Sequence, residues 1–418
     1  MKIIFIFLLF KSIIFDAFSQ PINEEVFDTE LKTVQLYTFG NGSNNAGVNT
    51  NVLCLATNDQ LVLEFDDLKA SYRQFHVKLQ HCNLDWTPSR LRDLEFLNDY
   101  NDFIINDFQV SQNTKIPYYH YGFVLPEIKM AGNFVLFLYE NSITNNPIAA
   151  LRFFVLAPSI GITANIQTAQ DPAFWRTHEQ VNFEMSYGNY DVRDPRNDFQ
   201  VLIRQNFRDE TIKTGFKASS LNGSKRTLAY RFFNNENVFL AGNEFRYADL
   251  RSNFNRGANI AEIQLGYEDN VWLIPQGSRS NKTYLESFDL DGRYIIETLD
   301  GDNSSVNADY MHVNVGIKTL EIPPSKKLCM LGKFNNYDCS VVGRMNFKED
   351  FSGFETTVTL KQGMYDFAFG LVDIEGNTDF SVLEGDFSNT RNSYEIFVYH
   401  RPPTAKSEIL VGYALIKE

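Results

Sequence analysis

Residues 134–158 read FVLFLYENSITNNPIAALRFFVLAP. Two short apolar runs, Phe134 to Tyr139 and Leu151 to Leu156, are separated by residues that include Asn and Pro, and Ala157-Pro158 ends the second. Short runs rich in Phe, Val and Leu between such residues are strand signals, because a helix needs a longer stretch with an apolar residue every third or fourth place. Working outward, similar runs precede them at Val52 to Leu55, Leu61 to Phe65 and Phe75 to Leu79. They follow at Val181 to Met185, Phe199 to Gln205, Leu228 to Phe233, Ile260 to Leu265, Lys327 to Leu331, Glu355 to Leu360, Tyr365 to Leu371, Tyr394 to Tyr399 and Leu410 to Leu415. Long stretches with helical periodicity are scarce, so the chain reads as all-β and built of sandwich domains.

A chain of 418 residues exceeds one hydrophobic core and suits two or three domains of roughly 100 to 150 residues each. The aromatic share of 14%, with 37 Phe and 20 Tyr, favours strands. A formal net charge of −14 with no basic run argues against a nucleic-acid partner, since phosphate binding needs a basic face. Turn-rich gaps place a first sandwich at 20–157, a middle sandwich at 158–314 and a last one at 315–418.

Ahead of these, Lys2, the apolar runs Ile3 to Phe10 and Ile13 to Phe15, and the small-residue end Ala17-Phe18-Ser19 form a signal peptide over 1–19. The mature protein is expected in an exported compartment. Four cysteines, Cys54, Cys82, Cys329 and Cys339, are too few for a disulfide scaffold and read as small buried hydrophobes. Cys329 and Cys339, around a turn, are the pair that could oxidise.

The segment Leu79–Tyr121 is long for a loop and too aromatic for disorder, with His81, Trp86 and the run Tyr118-Tyr119-His120-Tyr121. It reads as an ordered insertion that presents a surface. Its Thr87-Pro88 start signal and the spacing of Leu91, Leu94, Leu97 and Tyr100 predict one helix over Ser89–Tyr100.

Catalytic groupings are thin. The six His are scattered, and neither a zinc spacing nor a nucleophile elbow nor a phosphate loop occurs. His81 and Cys82 are neighbours on a strand and therefore point to opposite faces, which keeps them from acting as a pair. Asp289-x-Asp291-Gly292 and Asp300-x-Asp302-x-Ser304 lack a full calcium-loop pattern and read as turns. Near Gly242, Glu244 and Arg246 fall on one strand face where they can pair.

Leu331-Gly332-x-Phe334-Asn335-Asn336-Tyr337 and Val358-x-Leu360-x-x-Gly363-x-Tyr365 in the last unit resemble early-set immunoglobulin-like modules. Such modules commonly stack an exposed Trp on glucan where this chain has Tyr337.

A wider set of motifs runs in order along the chain: His81-Cys82-Asn83-x-Asp85-Trp86-x-Pro88-Ser89, Ser111-x-Asn113-Thr114, Ala131-Gly132-Asn133-Phe134, Arg204-Gln205-Asn206, Ala241-Gly242-Asn243-Glu244-Phe245-Arg246, Ala308-Asp309-Tyr310 and Leu360-Lys361-Gln362-Gly363. Together they resemble the plug protein family of the Bacteroidetes type IX secretion system. The resemblance implies a non-catalytic periplasmic protein that closes the periplasmic opening of an outer-membrane β-barrel translocon. It implies tandem immunoglobulin-like sandwiches, no cofactor, no metal, no small-molecule substrate and attachment to the outer membrane only through its partner. Candidates for binding that partner or bracing the loop are His81, Asn83, Asp85, Trp86 and Arg90, with Asn113 and Tyr121 as the closing side of the segment, and Asn243, Glu244 and Arg246 in the middle unit. Two other functions fit parts of the sequence. One is an exported carbohydrate-binding accessory using Tyr337; the other is an exported hydrolase using His81 or Asp85.

Overall fold

In this computed structural model residues 20–40, 50–318, 322–339 and 342–417 are described; the expected signal peptide lies outside them. The strand Gln60–Asp67 shows how local sequence makes the fold. Its Leu61, Leu63 and Phe65 alternate with more exposed residues and face inward, the period of two that one buried sheet face requires. Together with Leu31–Phe39, Tyr119–Val124 and Asp107–Val110 it forms one sheet of the first sandwich. The facing sheet contains Glu25–Val26, Ala149–Leu156, Gly132–Glu140, Phe75–Cys82 and Phe103–Ile104, with Val52–Cys54 added in parallel to Ala149–Leu156.

Gly132–Glu140 and Ala149–Leu156 are central in that sheet and buried on both faces. One face meets the sandwich core through Phe134, Leu136, Phe153 and Val155. The other, with Val135 and Phe154, packs on Leu202, Phe397, Tyr399 and Leu410 of the second sandwich. Double burial explains why these strands read as continuous apolar runs rather than alternating ones.

The second sandwich sets Gly161–Thr168, His178–Ser186, Thr227–Tyr230, Ser220–Asn222 and Val238–Leu240 against Phe199–Gln205, Ser393–His400 and Ile409–Lys417. Its core joins Val181, Phe183, Ile203 and Tyr230 to Tyr394, Ile396 and Val411. The third sandwich is inserted within the second. It sets Ile260–Gln264, Asp269–Leu273, Tyr310–Lys318, Gly353–Lys361 and Asn346–Lys348 against Arg246–Asp249, Gly363–Val372, Tyr294–Ile296 and Lys327–Leu331.

The expected boundary between residues 314 and 315 is therefore corrected. It would cut the strand Tyr310–Lys318, and the two final strands belong to the middle sandwich, not the last. Phe199–Gln205 pairs antiparallel with Ser393–His400, and nothing in either strand's alternation names a partner so distant in sequence. Two other expectations change. The helix over Ser89–Tyr100 is a single turn, Asp93–Phe96, and Cys329 and Cys339 are joined as a disulfide while Cys54 and Cys82 are free.

Candidate functional site

The Leu79–Tyr121 segment is not a loop inserted between strands. Its ends are the strands Phe75–Cys82 and Tyr119–Val124, and the chain between them passes from one sheet of the first sandwich to the other, adding Phe103–Ile104 to the first and Asp107–Val110 to the second. The segment divides into a braced half and an open half.

The braced half surrounds His81. Its imidazole is fully buried, 2.9 Å from the Ser89 hydroxyl through Nδ1 and edge-on to Phe134 at 4.7 Å. Burial pushes its pKa down to about 4, so the ring is neutral. Cys82 faces the other way, into the apolar contact with the second sandwich, where burial holds its thiol protonated with a pKa of about 12. Asn83 closes a tight turn by donating from Nδ2 to the Thr87 hydroxyl at 2.9 Å, and Asp85 accepts from the Thr87 amide and hydroxyl at 3.0 and 2.6 Å. The turn holds Trp86 at φ 65°, a conformation rare for a bulky residue. Its indole is thereby directed edge-on against Phe154 at 5.2 Å and beneath the Arg152 guanidinium at 4.4 Å. Arg90 is exposed.

Tyr121 is not at this site. It lies on the opposite sheet in the core, stacked on Phe65, and its hydroxyl bonds both the carbonyl and the amide of Arg73. Asn113 is exposed in a left-handed turn, and its neighbours dock on the third sandwich: the Gln112 amide donates to Val306 and the Lys115 amide to Asp309, both at 2.8 Å. The expected closing side of the segment is thus two separate places.

Asn243, Glu244 and Arg246 occupy the crossing from the second sandwich into the third. Glu244 and Arg246 do not pair, which corrects the expectation from their spacing. Arg246 Nε donates to both carboxylate oxygens of Glu384 at 2.9 and 3.1 Å, and its other nitrogens bond Gln276 and Gly277. Burial works to raise Glu384, but Arg246 and Arg279 outweigh it and hold the carboxyl below the usual range. Glu244 instead accepts from the Tyr284 hydroxyl and the Arg391 amide, while Asn243 donates to the Glu384 carbonyl. Glu384 lies where the chain leaves the third sandwich, so these residues clamp its entrance to its exit.

Sequence reasoning missed the residues that join the first sandwich to the third. Lys361 and Asp66, each side chain 1% exposed, pair at 2.7 Å; Asp66 also accepts from the Tyr310 hydroxyl and faces His120. Burial works to lower His120, but Asp66 and Glu64 raise its pKa to about 9. Lys361-Gln362 lies in the motif Leu360-Lys361-Gln362-Gly363, and polar residues directly after an alternating strand were the available signal. Where all three sandwiches meet, a cavity of about 570 Å³ is bounded by Glu24, Arg152, Arg204, Arg208, Arg293 and Tyr337. Tyr337 is no outward platform for a sugar ring. Its hydroxyl donates to the Gly292 carbonyl, and the Arg208 guanidinium covers its face at 5.0 Å.

These contacts hold the three sandwiches together. Residues 31–157 match the model of the type 9 secretion system plug protein 1st domain. The chain is also similar to a hypothetical protein from Parabacteroides merdae ATCC 43184 of known crystal structure, at 26% identity with a TM-score of 0.88, covering 95% of this chain and 100% of that one. No curated protein matches it. The similarity to the plug proteins therefore rests on the first sandwich, which matches their first domain.

Proposed function

We propose that this protein is a periplasmic, non-catalytic plug that closes the periplasmic opening of the outer-membrane β-barrel translocon of the type IX secretion system. The match of the first sandwich to the plug family carries the reading. A stopper must be wide and must not deform, and the cross-linked junctions meet that need. Arg152 of the first sandwich and Arg204 of the second share Asp209 at 2.7 and 2.6 Å, Arg204 also holds buried Glu395, and Lys361 of the third grips Asp66 of the first. The two fully buried pairs, Arg204–Glu395 and Lys361–Asp66, favour one arrangement, because breaking either strands a charge.

The net charge of −14 suits a basic rim on the pore. Pull-down of the tagged mature protein from outer-membrane extract tests the reading. The translocon barrel should co-purify and be released as salt is raised; a barrel absent at low salt would refute it.

A further inference from the structure

Several sheet edges among the described residues are blunted. Ser220–Asn222 and Asn346–Lys348 are three residues long and lie close to Lys225 or carry Lys348, while Leu31–Phe39 and Ile260–Gln264 are bulged. Shortness, lysine and bulges are the devices that stop an edge from pairing with another chain. Asp107–Val110 is also short, at four residues, but it carries no Lys and no bulge. It is the terminal strand of its sheet, paired to Tyr119–Val124 in unbroken register, and all four residues are exposed.

The side chains at this edge are unusual as well. Phe108 stands opposite Tyr121 on the core-facing side, yet it is 39% exposed, and Val110 on the same face is 49% exposed. Tyr72, itself exposed, lies against Phe108 with ring centroids 5.0 Å apart. Ile104 is exposed on the neighbouring edge strand Phe103–Ile104, two residues away in the chain. The hydrophobic core of the first sandwich therefore runs out to an uncovered edge. From residue 93 to residue 114 the chain carries Asp93, Glu95, Asp99, Asp102 and Asp107 and not one Lys or Arg. Glu95 and Asp102 have partners in Lys406 and His76, whereas Asp99 and Asp107 are exposed, Asp107 on the edge strand itself.

We propose that Asp107–Val110 is the docking strand of the plug. An extended segment of the translocon, apolar on one face and basic at its flanks, adds alongside it as a further strand, resting on the plug reading above. Main-chain bonds to the free edge supply affinity, and the slot beside Phe108, Val110 and Tyr72 selects the apolar side chains, the division of labour in strand addition. The basic flanks of the segment face Asp99 and Asp107, which makes association fast and salt-sensitive.

The test measures binding of the mature protein to the detergent-solubilised translocon for four proteins: wild type, Val110→Lys, the pair Asp99→Lys with Asp107→Lys, and Phe254→Lys on an exposed face of the third sandwich. Amide hydrogen exchange of residues 107–110 is followed with and without the translocon. The expected result is at least a tenfold loss of affinity for the first two variants with unchanged thermal unfolding, wild-type affinity for Phe254→Lys, and slowed exchange at 107–110 on binding. Wild-type affinity in both edge variants, or unslowed exchange while wild type binds, overturns the docking strand and leaves the plug reading standing. A wild-type protein that does not bind the translocon at all overturns both.

Discussion

The two halves of the Leu79–Tyr121 segment share composition but not environment. Both rings of the braced half are enclosed: His81 lies inside the first sandwich against Phe96 and Phe134, and Trp86 lies at its contact with the second. Around Phe108 the same kind of residue is held from one side and open on the other. Aromatic richness in a connection therefore does not by itself mark a binding surface. What separates bracing from docking is whether the fold has already supplied the second partner, and burial measures that directly.

Substitutions should separate the halves by size of effect. Trp86→Ala removes an indole at the contact between sandwiches and is expected to cost about 3–5 kcal/mol in urea unfolding; a loss below about 1 kcal/mol would place Trp86 with the open half. Lys361→Met leaves buried Asp66 with only His120 and Tyr310 as partners, and breaking such a pair is expected to cost about 3 kcal/mol. If the variant were as stable as wild type, the junction of the first and third sandwiches would not depend on that charge.

A smaller effect follows from pH. His120, with its pKa raised to about 9, stabilises the fold fully below its unfolded value of about 6.5, and that contribution is lost as pH rises through 9. Asp366 behaves alike. Burial, and then Asp289, pushes it up to about 8, so its contribution is present below the unfolded value of about 4 and is lost as pH rises through 8. The melting temperature should fall between pH 7 and pH 9, and Asp366→Asn should flatten the fall; a melting temperature that rises over this window would refute both assignments. Least of all, Arg90→Ala, at an exposed position in the otherwise braced half, should change stability by no more than about 0.5 kcal/mol. A larger loss would extend the brace to that residue.

Much of this was legible in the chain and some was not, for identifiable reasons. Strands announced themselves through alternation or dense apolar runs, because a sheet face is a local property. The helix predicted over Ser89–Tyr100 was not realised beyond one turn. Asn101 bonds both the amide and the carbonyl of Leu79 through its side chain, at 2.9 and 2.7 Å, and draws the chain along the sheet edge instead. Leu94 and Tyr100, counted as part of an apolar helix face, are exposed in consequence. The Glu244–Arg246 pair failed because Glu384, distant in sequence, is the carboxylate that meets Arg246, while Glu244 is taken by the Tyr284 hydroxyl and the Arg391 amide. The same non-locality hid the insertion of the third sandwich within the second. Gly242, by contrast, takes a left-handed backbone, φ 67°, which a glycine adopts at no steric cost and which its presence in the sequence permits.

The most direct test of the plug is electrical. Purified translocon reconstituted in a planar bilayer with its lateral exit unoccupied should conduct, and adding this protein to the periplasmic side should close the current. Bound protein that leaves the conductance unchanged would contradict the plug.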